Sequence, residues 1–146
     1  MVFVNPYNPS RVYGISPSNQ LLVSHNMAHS FAGVAGVTGF SSYCCETSSM
    51  FYADAYVHSE VLLGTEGGVY LGCSYGASWD LLSRSPTKVT AVSMSGPSRY
   101  LAGTTDGLCI YAGGSWSRSS GIWGYVDSIA YHSAFQNNVS PTNIWG

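Results

Sequence analysis

The sequence predicts an all-β chain made of repeated β-propeller blades, and three observations predict it. Only five Lys or Arg and seven Asp or Glu are present, 8% of the 146 residues, against roughly a quarter in ordinary soluble proteins. Helices solvate their outer faces with Glu, Lys and Arg, so a chain poor in them and rich in Gly, Ser and Tyr reads as sheets and turns. The phrase "LLGTEGGVYLGCSYGASW" (62–79) is echoed by "LAGTTDGLCIYAGGSW" (101–116). Finally, "FVNPYNPSRVYG" (3–14) aligns without gaps on "FQNNVSPTNIWG" (135–146), an offset of 132 residues, or three times 44. Short strands and Gly-rich turns at a period near 44 are the signature of a four-stranded blade.

The blades follow from the strand-ending glycines. Gly14, Gly64, Gly103 and Gly146 close comparable apolar strands at spacings of 50, 39 and 43 residues. They divide a single array, 1–146, into blades at about 11–60, 61–99 and 100–143, with 135–146 returning to the phase of 3–14. In the middle blade "EVLLGTEGG" reads as a strand and tight turn, "GVYLGCS" as a second strand, "SWDLLSR" as a third and the alternating "KVTAVSMSG" as a fourth. The next blade repeats the order with "RYLAGTTDG", "GLCIYAG", "SWSRSSG" and "VDSIAYHS". The turns "TEGG" and "TTDG" place glycine where a hairpin needs positive φ. In the first blade "RVYGISPSN", "QLLVSHN" and "SFAGVAG" fill the first three places. The long segment 40–59 then replaces the fourth, either as an elaborated loop or as an irregular strand and turn.

Phrases of the form G-T-x-G-G-V-Y…S-W resemble the Asp-box, or BNR, repeats of sialidases, sortilin-type receptors, xyloglucanase-like glycoside hydrolases and a photosystem assembly factor. The box pattern S-x-D-x-G-x-x-W would fall on Ser24, Asn26, Ala28 and Phe31, then on Gly72, Ser74, Gly76 and Trp79, and in shortened form on Gly113 and Trp116. The resemblance implies a turn between the second and third strands of a blade, capped by a polar side chain with the aromatic packed beneath. No copy keeps the Asp, but Asn26 and Ser74 can accept backbone hydrogen bonds in its place. "NPYNPSRVYG" is also similar to the lead-in of the xyloglucanase-like and assembly-factor propellers. The resemblance bears on fold, since box residues are structural and lie away from active centres.

Propellers close with roughly four to eight blades, and an open stack leaves two apolar faces bare. Three blades therefore imply a chain that associates with copies of itself or a piece of a longer array; a ring completed by another chain, with a dimer favoured, is the leading expectation, and a fragment or an open filament are the alternatives.

Several functions are excluded or demoted by composition. A formal charge of −2, with Arg11, Arg84, Arg99 and Arg118 scattered, offers no footprint for a phosphate backbone. No run of 18 apolar residues could span a bilayer. No cofactor or metal is expected: Cys44, Cys45, Cys73 and Cys109 make no C-x-x-C pair, and His25 and His29 read as surface turn residues. Cys73 and Cys109 read as free thiols inside strands. A low-charge, Ser- and Tyr-rich surface points to an extracellular or virion-associated protein, although "MVFVNPYNPS" writes no signal peptide. Asn138 heads a glycosylation sequon.

Three functional classes remain. A lectin-like module would use aromatic platforms at the rim, and Trp123, Tyr125, Tyr43 and Tyr75 are the candidates. A structural subunit of a viral or extracellular assembly would use the propeller only as a building block. A glycoside hydrolase would need two carboxylates across a sugar cleft, for which Asp54 and Asp127 are the weak candidates. Glu66 and Asp106, at equivalent hairpin positions, read as turn residues. Sialidase chemistry is set aside, because the arginines form no triad. The leading expectation is a non-enzymatic propeller that self-assembles and binds carbohydrate.

Overall fold

A computed structural model describes residues 2–40, 51–53 and 56–129. Among them there is no helix, and the chain is all-β, in three four-stranded antiparallel sheets that succeed one another like blades. The first sheet holds β1 (Val2–Val4), β2 (Val12–Ile15), β3 (Leu21–Ser24) and β4 (Ala32–Gly33). The second holds β5 (Phe51–Ala53), β6 (Val61–Thr65), β7 (Gly68–Cys73) and β8 (Ser78–Leu81). The third holds β9 (Val89–Gly96), β10 (Arg99–Thr104), β11 (Gly107–Ala112) and β12 (Ser115–Trp123). In each sheet the strands lie side by side in chain order.

The grouping runs one strand out of phase with the boundaries 11–60, 61–99 and 100–143. The alternating segment 88–96, expected to end the middle blade, instead opens the third sheet: β9 pairs with β10, Met94 opposite Tyr100 and Val92 opposite Ala102. The reason is the connection. Only Pro97 and Ser98 separate β9 from β10, and Ser98 takes a left-handed φ of 52°. A two-residue turn of this kind ties antiparallel neighbours. Seven residues, by contrast, separate β8 from β9, enough to change sheets. Likewise Phe51–Ala53, inside the long segment 40–59, forms the first strand of the second sheet against Leu63, Leu62 and Val61.

Two apolar layers hold the stack together. Tyr13, Leu21, Val23, Phe51, Val61, Leu63 and Tyr70 form the core between the first and second sheets. Leu62, Val69, Val89, Val92, Met94, Tyr100, Ala102 and Cys109 form the core between the second and third. Strand β6 is therefore buried along its whole length, because successive residues point to opposite faces and both faces are covered.

The two cores also correct the repeat register. Tyr13 reaches forward to the second sheet, and the residue reaching forward from the second to the third is Leu62, not Leu63. The step between matching positions of the first two sheets is thus 49 residues, one fewer than the 50 between Gly14 and Gly64. A slip of one residue turns a side chain to the other face, so those two glycines do different jobs. Gly64 faces the third sheet, where a Cβ would meet Val89 Cγ1 at 2.6 Å. From β6 to β10 the step of 39 holds, Leu63 and Ala102 both facing backward.

The expected hairpins are present. Thr65 Oγ1 donates to the Gly68 carbonyl at 3.1 Å and accepts from the Gly67 amide, and Thr104 does the same with Gly107 and the Asp106 amide. Gly68 and Gly107 follow with φ of 142° and 136°, which an L side chain rarely adopts.

Candidate functional site

The box-like turns connect the third and fourth strands of each sheet, not the second and third, as the shifted phase requires. In the first sheet Ser24 and Asn26 build the turn. Ser24 Oγ accepts from the Ala28 amide at 3.0 Å, and Asn26 Oδ1 accepts from the Ser30 amide at 3.0 Å and from the Ser24 hydroxyl at 3.0 Å. These bonds hold Met27 and Ala28 at left-handed φ of 57° and 66°. The Asn26 amide group also donates to Ser30 Oγ at 2.9 Å.

The second turn is closed differently. Gly76 and Ala77 both donate to the Cys73 carbonyl at 3.0 Å, while Ser74, Tyr75 and Gly76 run through left-handed φ of 51°, 59° and 80°. Ser74 contributes backbone shape here. Trp79 lies flat against Gly72, where a Cβ would meet its ring at 2.9 Å, and its Nε1 donates to the Gly76 carbonyl at 3.0 Å. In the third sheet the turn shrinks to Gly113 and Gly114, at φ of 59° and 83°, with Trp116 packed on Tyr111 at 5.2 Å.

Two of the three aromatics pack against a core. Trp79 joins the core between the first and second sheets, meeting Tyr13 edge-on at 6.0 Å, and Trp116 joins the core between the second and third. Phe31 is 41% exposed instead. Among the described residues no sheet precedes its own.

The candidate ligand residues separate to opposite ends of the strands. Tyr75 lies at the box-turn end: its amide donates to the Ser59 carbonyl at 2.7 Å and the Arg11 guanidinium sits 5.9 Å from its ring centre. Beside it, burial pushes the Tyr13 hydroxyl up from its ordinary pKa, opposed by the Asn5 amide and the Arg11 charge. Asn5 itself is buried and accepts from the Tyr7 and Asn8 amides at 2.9 and 3.2 Å. Tyr75 is half-buried.

Trp123 and Tyr125 lie at the other end, where β12 stops. Trp123 pairs with Gly107 beside the β10–β11 turn, and its Nε1 donates to the Ser120 carbonyl at 3.0 Å, which fixes the indole. Its side chain is 70% exposed and that of Tyr125 is 65% exposed. Ile122, also exposed, belongs to the same stretch and was not singled out by sequence; its signal would have been its place in the last strand beside two aromatics. Gly124, at φ 86°, bends the chain between Trp123 and Tyr125. Measured against known proteins, the chain matches no protein-family model and no curated protein.

Asp127 is exposed two residues further on. Tyr43, Asp54, Cys44, Cys45 and the repeat at 135–146 lie outside the described residues. Among the described residues no three His, Cys, Asp or Glu side chains gather as metal ligands. Cys73 and Cys109 are free thiols. Burial holds the Cys73 thiol above its ordinary pKa, with the Glu60 and Asp80 carboxylates pushing the same way. No helix of the described residues is long and apolar enough to cross a membrane.

Proposed function

We propose that this chain is a non-enzymatic, Asp-box-related blade array that binds carbohydrate on the aromatic stretch ending β12. The observation that carries the proposal is the exposure of Trp123 and Tyr125, two residues apart at a strand end, with the indole fixed by its bond to Ser120. A large aromatic face left in water normally seeks cover, and a fixed one costs a ligand little ordering entropy. Sugars present apolar C–H faces that stack on such rings and hydroxyls that need polar partners. Ser120 is exposed in the same strand, and Asp106 precedes Gly107, the residue paired with Trp123. The charges beside the stretch, Asp106 and Asp127, are carboxylates, which suits a neutral polar ligand better than a phosphate.

The test is a glycan array probed with the chain, followed by fluorescence titration of any hit with the wild type and with Trp123→Ala. Binding that weakens at least tenfold in the variant, or roughly 1.4 kcal/mol, supports the reading. No glycan bound above background, or equal binding by the variant, refutes it.

A further inference from the structure

Beyond Val4 the ladder between β1 and β2 runs one step further: the Asn5 amide donates to the Arg11 carbonyl at 3.0 Å, which sets Asn5 opposite Arg11 as Phe3 is opposite Tyr13. Side chains two residues apart on a strand share a face, so Asn5 and Arg11 stand on the face that carries Phe3 and Tyr13 toward the second sheet. Tyr75 meets them from that sheet, its ring centre 5.9 Å from the Arg11 guanidinium carbon. The loop between β1 and β2 is held in place. Asn5 Oδ1 accepts from the Tyr7 and Asn8 amides, and the Tyr7 ring stacks on His58 at 4.0 Å, tying the loop to the segment before β6.

This corner gathers unpaired donors. Five buried side-chain polar atoms of the described residues have no hydrogen-bond partner, and three of them are here: Asn5 Nδ2, Arg11 Nε and the Tyr13 hydroxyl. Asn5 and Tyr13 are fully buried. Burial keeps the Tyr13 hydroxyl protonated, and the Asn5 side chain and the Arg11 charge act on it next, which places the three groups around one point. Buried polar groups are normally paired, so three together call for an explanation. All three can donate, while Asn5 Oδ1, the acceptor of the cluster, is already taken by two backbone amides. Arg11 itself lies against the Tyr75 ring rather than a carboxylate. Arg11 and Tyr75 are both half-buried, so the cluster meets solvent on their side.

We propose that this corner is a carboxylate-binding site, in which Arg11 Nε, Asn5 Nδ2 and the Tyr13 hydroxyl donate to one carboxylate group of a small ligand. One positive charge beside two neutral donors matches a planar monoanion, whose two oxygens can share the three donors. A doubly charged phosphate would keep an uncompensated charge among buried groups, which is unfavourable. The pinned loop presents the donors in advance, so little ordering accompanies binding. The corner lies at the box-turn end of the strands, away from Trp123 and Tyr125, and the inference does not depend on the carbohydrate reading.

Acetate titrated into the isotope-labelled chain, followed by proton–nitrogen correlation spectra, tests the site, with sodium chloride at matched ionic strength as the control. The Arg11 Nε–H signal, assigned by its loss in Arg11→Gln, and the Asn5 side-chain amide signals should shift saturably with acetate and stay in place with chloride. Arg11→Gln should weaken binding at least tenfold, read at the Asn5 signals, with the far-ultraviolet dichroism of the wild type retained. Should it fail to fold, Tyr13→Phe takes its place. Asn5→Asp keeps the oxygen that accepts the loop amides and sets a charged oxygen among the donors, so it should abolish acetate binding. Glucuronate binding more tightly than acetate would assign the carboxylate to an acidic sugar, and the reverse to a free carboxylic acid; both support the site. Shifts that fail to saturate, that chloride reproduces, or that persist undiminished in Arg11→Gln or Asn5→Asp overturn it.

Discussion

Leu62 and Leu63 are neighbours in β6, and the stacked-sheet arrangement makes an unusual demand on them. In a sheet with one wet face, one of two adjacent residues is exposed, and truncating it costs less than about 0.5 kcal/mol. Here Leu63 faces the first sheet and Leu62 the third, and both are buried. Leu→Ala removes three carbons, about 2.4 kcal/mol at about 0.8 per buried methylene, and the unfilled space adds to that. Each substitution should therefore cost about 3 kcal/mol. For a chain of this size that corresponds to a melting-temperature drop of roughly 6–12 °C. Urea unfolding followed by tryptophan fluorescence gives the free energy directly, since a shifted midpoint at constant slope is a stability change. If either variant unfolds within about 0.5 kcal/mol of the wild type, one face of the middle sheet is not packed, and the stack is refuted.

Two further outcomes follow from the turns and from Tyr13. Gly76→Ala and Gly113→Ala both place a methyl group on a left-handed residue, at φ of 80° and 59°, but only at Gly76 would the Cβ meet another group, Tyr13 Cε1 at 2.7 Å. Thermal denaturation should show a loss of about 1 kcal/mol at Gly113 and about 2–4 kcal/mol at Gly76; equal losses would mean that the second box turn does not rest on Tyr13. Burial keeps Tyr13 protonated above the ordinary value of 10.0 in the folded chain, so above pH 10 the unfolded chain binds fewer protons and stability falls as pH rises. The fall attributable to this residue is at most about 1.4 kcal/mol per pH unit, between the unfolded and the raised folded pKa, and urea midpoints of Tyr13→Phe at pH 9 and 11 should differ by less than those of the wild type. Parallel behaviour of the two proteins would place the hydroxyl in water.

Composition and local phrases by themselves determined the fold class. Scarce charge, the repeated glycine turns and alternating runs such as "KVTAVSMSG" are properties of neighbouring residues, and the strands, the Thr65 and Thr104 hairpins and the Asn26 turn follow from them. What tertiary structure decided was which strand belongs to which sheet and which way each side chain points. The glycine spacing placed 88–96 at the end of a blade, because a periodic sequence can be cut at any phase. The two-residue link at Pro97 and Ser98 cuts it one strand earlier. The same spacing equated Gly14 with Gly64, although strand geometry gives opposite faces to residues one step apart, and only the packed cores show that Tyr13 matches Leu62. The candidate site divides in the same way. Aromatic content marked Tyr75 and Trp123 alike, but the direction of each strand carries one to the box-turn end, under Arg11, and the other into solvent at the end of β12. Exposure depends on what packs from elsewhere in the chain, and no single phrase of sequence contains that.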